Sequence, residues 1–177
     1  MSLTFIPYLV PVFPLFGRAV MTFKFRSFMA KGMKEATAAR EATRSFIITL
    51  TGFSFTGLLA IAVVDSSIQQ SLHLSVYYLL ISFLCYLFAL NLQSYKSHWW
   101  HDQFGDFLIE AATLSLLLSV VAIVWTSKQP DGFKYLVTIL ALAVWLIDHV
   151  IRITILWQYL KQVEVNDARG KGKGTRG

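Results

Sequence analysis

Four apolar stretches constrain this chain more than any other feature: Ser45–Val64, Leu74–Leu92, Phe107–Thr126 and Tyr135–Trp157. Each holds about 19–23 residues, and about 20 are needed to cross some 30 Å of hydrocarbon at 1.5 Å per residue. None shows the period-two alternation of an outer-membrane barrel strand. With no water available to the backbone, helices are the remaining way across. The expected fold class is therefore all-α: a polytopic integral membrane four-helix bundle.

Composition agrees. The 177 residues are 55% hydrophobic and 15% charged, with a mean hydropathy of +0.56, whereas soluble domains run to roughly 45–50% apolar and about 25% charged. The length suits one compact unit. A single cysteine, Cys85, lies inside an apolar run, so no internal disulfide can form and no zinc spacing is present. The N-terminus opens Met-Ser-Leu-Thr-Phe-Ile without an early Lys or Arg. Cleavage of a secretory signal is not expected there.

Basic residues set the expected orientation. Seven precede span one (Arg18, Lys24, Arg26, Lys31, Lys34, Arg40 and Arg44), one (Lys96) lies between spans two and three, and five follow span four. The first link has none and the third has Lys128 and Lys134. With both termini cytoplasmic, thirteen cationic residues fall inside against two outside. A plasma or inner membrane location follows.

The ends divide from the bundle at 45–162. Residues 1–21 include an apolar segment with Pro7, Pro11 and Pro14, which oppose a regular helix. An interfacial or re-entrant segment packed on the bundle is expected there. A fifth, proline-kinked span is the competing arrangement, and it would put the N-terminus outside. Residues 22–44 read as a basic amphipathic interfacial helix, with Phe25, Phe28, Met29 and Met33 apolar and Lys24, Lys31, Lys34, Arg40 and Arg44 supplying the basic face. That helix should continue into span one, because Ala36–Ser45 contains no Gly or Pro. Residues 163–177 are glycine-rich and basic, and are expected to form a disordered tail drawn to a lipid bilayer with anionic headgroups. Nucleic acid is disfavoured as a partner, since the tail has no aromatic ring to stack on a base.

Helix association in lipid depends on close packing and interhelical hydrogen bonds. Gly52, Thr56 and Ala60 form a small-residue stripe in span one, and Ala111, Ser115 and Ser119 form another in span three. Either stripe could serve intrachain or intersubunit packing. Span two, rich in aromatics, is expected to be the most lipid-exposed. Trp99, Trp100, Trp125 and Trp157 lie near the expected interfaces.

The functional pointer is a charged cluster: Asp106 and Glu110 at the start of span three, and Asp148, His149 and Arg152 within span four. A charge at the middle of a membrane helix costs about 3 kcal/mol on insertion scales, so such groups face partners or water. Antiparallel spans put Glu110 about 5 Å and Arg152 about 7–8 Å inside the same edge, with Asp148 about 13 Å in. A Glu110–Arg152 meeting is thus expected. It would be either a structural ion-pair network or a cation or proton pathway, to which His149 adds an imidazole, a group that ordinarily changes charge near neutral pH.

A third possibility is a metal site at His98, His101 and Asp102, which would suit a metal-dependent membrane enzyme. No cofactor is expected: only His149 lies deep in a span, and a bis-histidine haem needs a second. A lone Arg152 cannot make a voltage sensor, which repeats arginine along its helix. Glycine-rich phosphate loops and nucleophile elbows are absent, so an enzyme is not expected. The leading expectation is a small homo-oligomeric ion-conducting or gated pore. Its rival is a non-conducting accessory or assembly subunit associated with other membrane subunits.

Overall fold

The computed structural model describes residues 6–12, 37–64, 71–94 and 99–173. Five α-helices follow in order: α1 (Ile6–Leu9, followed by a 3-10 turn at Val10–Val12), α2 (Thr37–Ala62), α3 (His73–Ser94), α4 (Trp99–Thr126) and α5 (Asp131–Lys173). No strand occurs among the described residues. Helices α2–α5 are each long and apolar enough to cross a membrane, over Arg44–Ala62, His73–Leu92, Phe104–Thr126 and Asp131–Ile151. The class of protein this defines is an all-helical one compatible with a membrane bundle.

Local chemistry suits an apolar setting. Thr51, Ser54, Thr113 and Ser115 donate their hydroxyl protons to the backbone carbonyl four residues earlier, at 2.7–3.0 Å. Each hydroxyl is thereby satisfied inside its own helix without water. The turn into α5 is built by Pro130, whose carbonyl accepts the Phe133 and Lys134 N–H groups at 3.0 and 3.2 Å. Asp131 then sits in the first turn, where a carboxylate favours the positive end of the helix dipole.

The long helices run antiparallel, each packed on the next in sequence. Their seams have a period of three and four. On α2 the seam is Ile47, Thr51, Ser54 and Ile61 with Leu58 between, and on α3 it is Ser75, Leu79, Ser82, Tyr86 and Ala89. On α4 it is Leu108, Ala112, Ser115 and Ser119. Alternating three- and four-residue steps are the signature of left-handed packing near 20°. Two hydroxyl contacts fix the register: Ser54 with Ser82 at 3.0 Å, and Tyr86 with Thr113 at 3.0 Å. Tyr86, Ile47 and Ile109 are wholly buried where α2, α3 and α4 meet.

Two ends of the bundle can be distinguished. The link end holds the α2–α3 and α4–α5 connections, and the Arg44 end holds the entry to α2 and the exit of α5's apolar stretch. Lys161 lies 3.7 Å over the Trp157 ring at the latter. Residues 6–12 pack on α4 through the turn, with Pro11 buried, and the Tyr78 hydroxyl donates to the Pro7 carbonyl at 2.8 Å. Of the segment expected at 1–21, the remaining residues lie outside the described ones.

Several expectations are corrected. Span two is not the most exposed: α3 packs between α2 and α4, and its Tyr78 and Tyr86 are buried. Helix α5 is the exposed one, with only 6% of its apolar stretch buried. The tail expected to be disordered from residue 163 is helical to Lys173. Helix propagation onto an established nucleus adds a hydrogen bond per residue, and it carries the helix past Gly170 and Gly172. Of the surface helix expected at 22–44, residues 22–36 lie outside the described residues. The remainder, from Thr37, runs unbroken into α2 as expected.

Candidate functional site at the α4–α5 seam

Glu110 is the one charged residue in the buried core among the described residues, with 3% exposure. It sits one residue beyond Ile109, which faces α2 and α3, so the 100° step per residue turns it toward α5. There it meets His149, whose Nδ1 lies 3.7 Å from Glu110 Oε2. That separation is within ion-pair reach but longer than the 2.7–3.2 Å of a hydrogen bond. Nδ1 is enclosed and makes no hydrogen bond among the described residues. The imidazole stacks on Trp145 one turn earlier, centroids 5.1 Å apart and planes within 15°. Trp145 covers one face of the ring and fixes its plane, leaving Nδ1 aimed at the carboxylate.

Asp106, half-buried, lies one turn before Glu110, and Asp148, half-buried, adjoins His149. Asp106, Glu110 and Asp148 each have a further polar partner or electrostatic interaction. Four of the five expected cluster residues therefore gather at the Arg44 end of the α4–α5 seam. The contact formed is Glu110–His149, with His149 three residues before Arg152 and so nearly one turn away. The backbone of Arg152 belongs to α5, but its side chain lies outside the described residues, as do His98 and the side chains of His101 and Asp102. The proposed metal set thus falls outside the description.

The small-residue stripe of α2 faces away from α3. Gly52, Thr56 and Ala60 are exposed, and a Cβ at Gly52 would meet nothing within 4 Å. Gly57 makes the close approach instead, where a Cβ would lie 3.2 Å from Leu79 Cδ1. The stripe of α4 does face inward: Ala111, Ser115 and Ser119 are all buried.

Sequence reasoning missed Trp145 and the Tyr86–Thr113 contact. A tryptophan in the middle of a span, away from the interface where indoles concentrate, and one turn from a histidine was the available signal. The three-four spacing of Ser75, Ser82 and Tyr86 was the other.

No family model matches the chain, and neither a curated protein nor a solved structure matches it. What the chain does must come from the site itself.

Proposed function

We propose that this chain is an integral membrane protein that self-associates and conducts or gates small cations or protons, with the Glu110–His149 seam as the controlling site. The observation that carries the reading is a carboxyl group with 3% exposure facing an imidazole between two helices of crossing length. Ionisable residues at such depth are costly and mark ion or proton pathways by default. Asp106 and Asp148 add negative charge at the same end, which favours cations over anions. By the bias of basic residues, the Arg44 end and the C-terminus face the cytoplasm. A single bundle of four helices offers little room for a path, so several copies around an axis complete it.

A second reading is supported by a different observation. Helix α5 continues to Lys173, about 33 Å past Ile151. A helix projecting from the bundle suits a subunit that docks on others, with the Glu110 seam serving structure alone.

Purified protein in liposomes separates the two. Cation or proton flux above that of empty vesicles is expected, falling at least about tenfold in Glu110→Gln, the change made by ~1.4 kcal/mol of barrier, while folded yield holds. A parent protein that passes no ion, with Glu110→Gln lost as folded material, would favour the docking subunit.

A further inference from the structure

We infer that the Glu110–His149 contact is a proton-operated clamp: uptake of one proton on His149 Nδ1 draws α5 onto α4 at that level, and its loss releases the helix. The inference rests on the seam already proposed as the controlling site, and it names the ligand of that seam and its moving part. Nothing in it depends on flux.

The donor set selects the proton as ligand. His149 Nδ1 is enclosed, makes no hydrogen bond among the described residues and lies 3.7 Å from Glu110 Oε2. Calcium takes about six to eight oxygen ligands, and zinc about three or four nitrogen, sulfur or oxygen ligands from the protein. No group of three His, Cys, Asp or Glu side chains able to hold a metal occurs among the described residues. A proton requires one lone pair and an acceptor beyond it, and Nδ1 and Oε2 supply both. Facing each other at such range, the two groups titrate as a pair.

With the proton bound, an imidazolium faces a carboxylate. Charge-assisted N–H···O bonds are about 2.7–2.9 Å long, so forming one from 3.7 Å closes the seam by roughly 1 Å. Burial leaves the attraction little screened. Trp145, stacked on the imidazole with centroids 5.1 Å apart, holds the ring plane and offers its π face to the cation. The other charged groups at this level act in the same direction. Helix α4, on which α5 packs, carries Asp106 one turn before Glu110, and α5 itself carries Asp148 beside His149. A carboxylate attracts a cationic ring. The Arg152 side chain lies outside the described residues.

The moving part follows from how α5 is held. One polar tether, Trp125 Nε1–H to Thr138 Oγ1 at 2.9 Å, stands near the link end. His149 is eleven residues beyond Thr138, about 16 Å along the helix. Between them Ile139, Leu140 and Val144 are exposed. The first tether carries no titratable group, whereas the second gains its ion pair with a proton. A proton that binds the docked helix better than the released one must, by linkage, favour docking as pH falls. Spacing of α4 and α5 at the Glu110 level should therefore contract in acid and expand in alkali, while spacing nearer Trp125 stays fixed.

Spin-label pairs test this in the full-length chain, on a Cys85→Ala background, in liposomes diluted with unlabelled chain. Phe104→Cys with Ile151→Cys reports on the Glu110 end, and Val120→Cys with Leu140→Cys on the stretch nearer Trp125; all four positions are exposed. From about pH 8 to about pH 5, where an imidazole ordinarily changes charge, the first distance distribution should shorten and narrow while the second holds. His149→Gln should abolish the response. A first pair insensitive to pH, or a response that survives His149→Gln, overturns the clamp. Should His149→Gln fail to fold, a chain with His73→Gln, His98→Gln and His101→Gln keeps His149 as its sole histidine, and its ring resonances decide. A ring that gains charge over the same pH interval as the contraction upholds the clamp. A ring of constant charge while the spacing changes refutes it. Contraction in acid without ion flux would sink the conducting reading alone, and flux with pH-independent spacing would sink the clamp alone.

Discussion

Helices α4 and α5 are neighbours that are both apolar enough to cross a membrane, yet 44% of the apolar stretch of one is buried and only 6% of the other. Helix α4 shares a seam of small and hydroxyl-bearing residues with α3, and through Ile109 and Ala112 with the core that includes α2. Helix α5 is attached at two separated places. Near the link end the Trp125 Nε1–H donates to Thr138 Oγ1 at 2.9 Å, and the same indole meets Tyr135 edge-on at 5.4 Å. Toward the other end stands Glu110–His149. The long faces between, including Ile139, Leu140 and Val144, are exposed. Stability should therefore reside in α2–α4, and α5 is the helix best placed to shift or to meet a second molecule.

The sharpest way to break that contrast is Tyr86→Ala, which removes a wholly buried ring and its bond to Thr113. Large aromatic truncations cost about 3–5 kcal/mol, and a denaturant titration in detergent should show a loss of that order. Gly57→Leu comes next. Its side chain would press on Leu79, and overpacking costs about 1–3 kcal/mol. Gly52→Leu, by contrast, has open space within one chain. It should leave monomer stability alone and lower the oligomeric mass if copies pack through the α2 stripe. Trp125→Phe deletes one interhelical hydrogen bond, which averages about 0.6 kcal/mol in a membrane protein. It should loosen α5, seen as faster backbone exchange there than in α3. Smallest of all, Ile139→Ala on the exposed face of α5 should move the unfolding midpoint by less than about 0.5 kcal/mol. An Ile139→Ala loss rivalling that of Tyr86→Ala would dissolve the distinction between core and periphery.

Length and hydropathy made the four long helices legible, with most edges within a few residues: Phe107 was expected where the apolar stretch begins at Phe104, and Tyr135 where it begins at Asp131, while the last stretch was expected to reach Trp157 and ends at Ile151. Depth was less legible. Rise per residue on antiparallel helices put Glu110 level with Arg152, whereas the described contact of Glu110 is with His149, three residues or about 4.5 Å away along α5. Which side of each helix faces its neighbour was harder to read. Lipid tails are as apolar as leucine, so hydropathy does not separate an inward face from an outward one. The aromatic ring of Tyr86 looked lipid-facing by type and is the largest wholly buried side chain among the described residues. The small stripe at Gly52, Thr56 and Ala60 is exposed within one chain, because small residues permit close approach without requiring it, and its spacing alone did not separate intrachain from intersubunit packing.

One feature of α5 has a mechanical corollary. From Asp131 to Lys173 it is a single helix of 43 residues, so whatever tilts its weakly held apolar portion is carried outward without a hinge. A swing of ten degrees about Ile151 would displace Lys173 by about 6 Å. A disturbance at the Glu110–His149 contact could thus be read as motion by anything that grips the far tip of this rod.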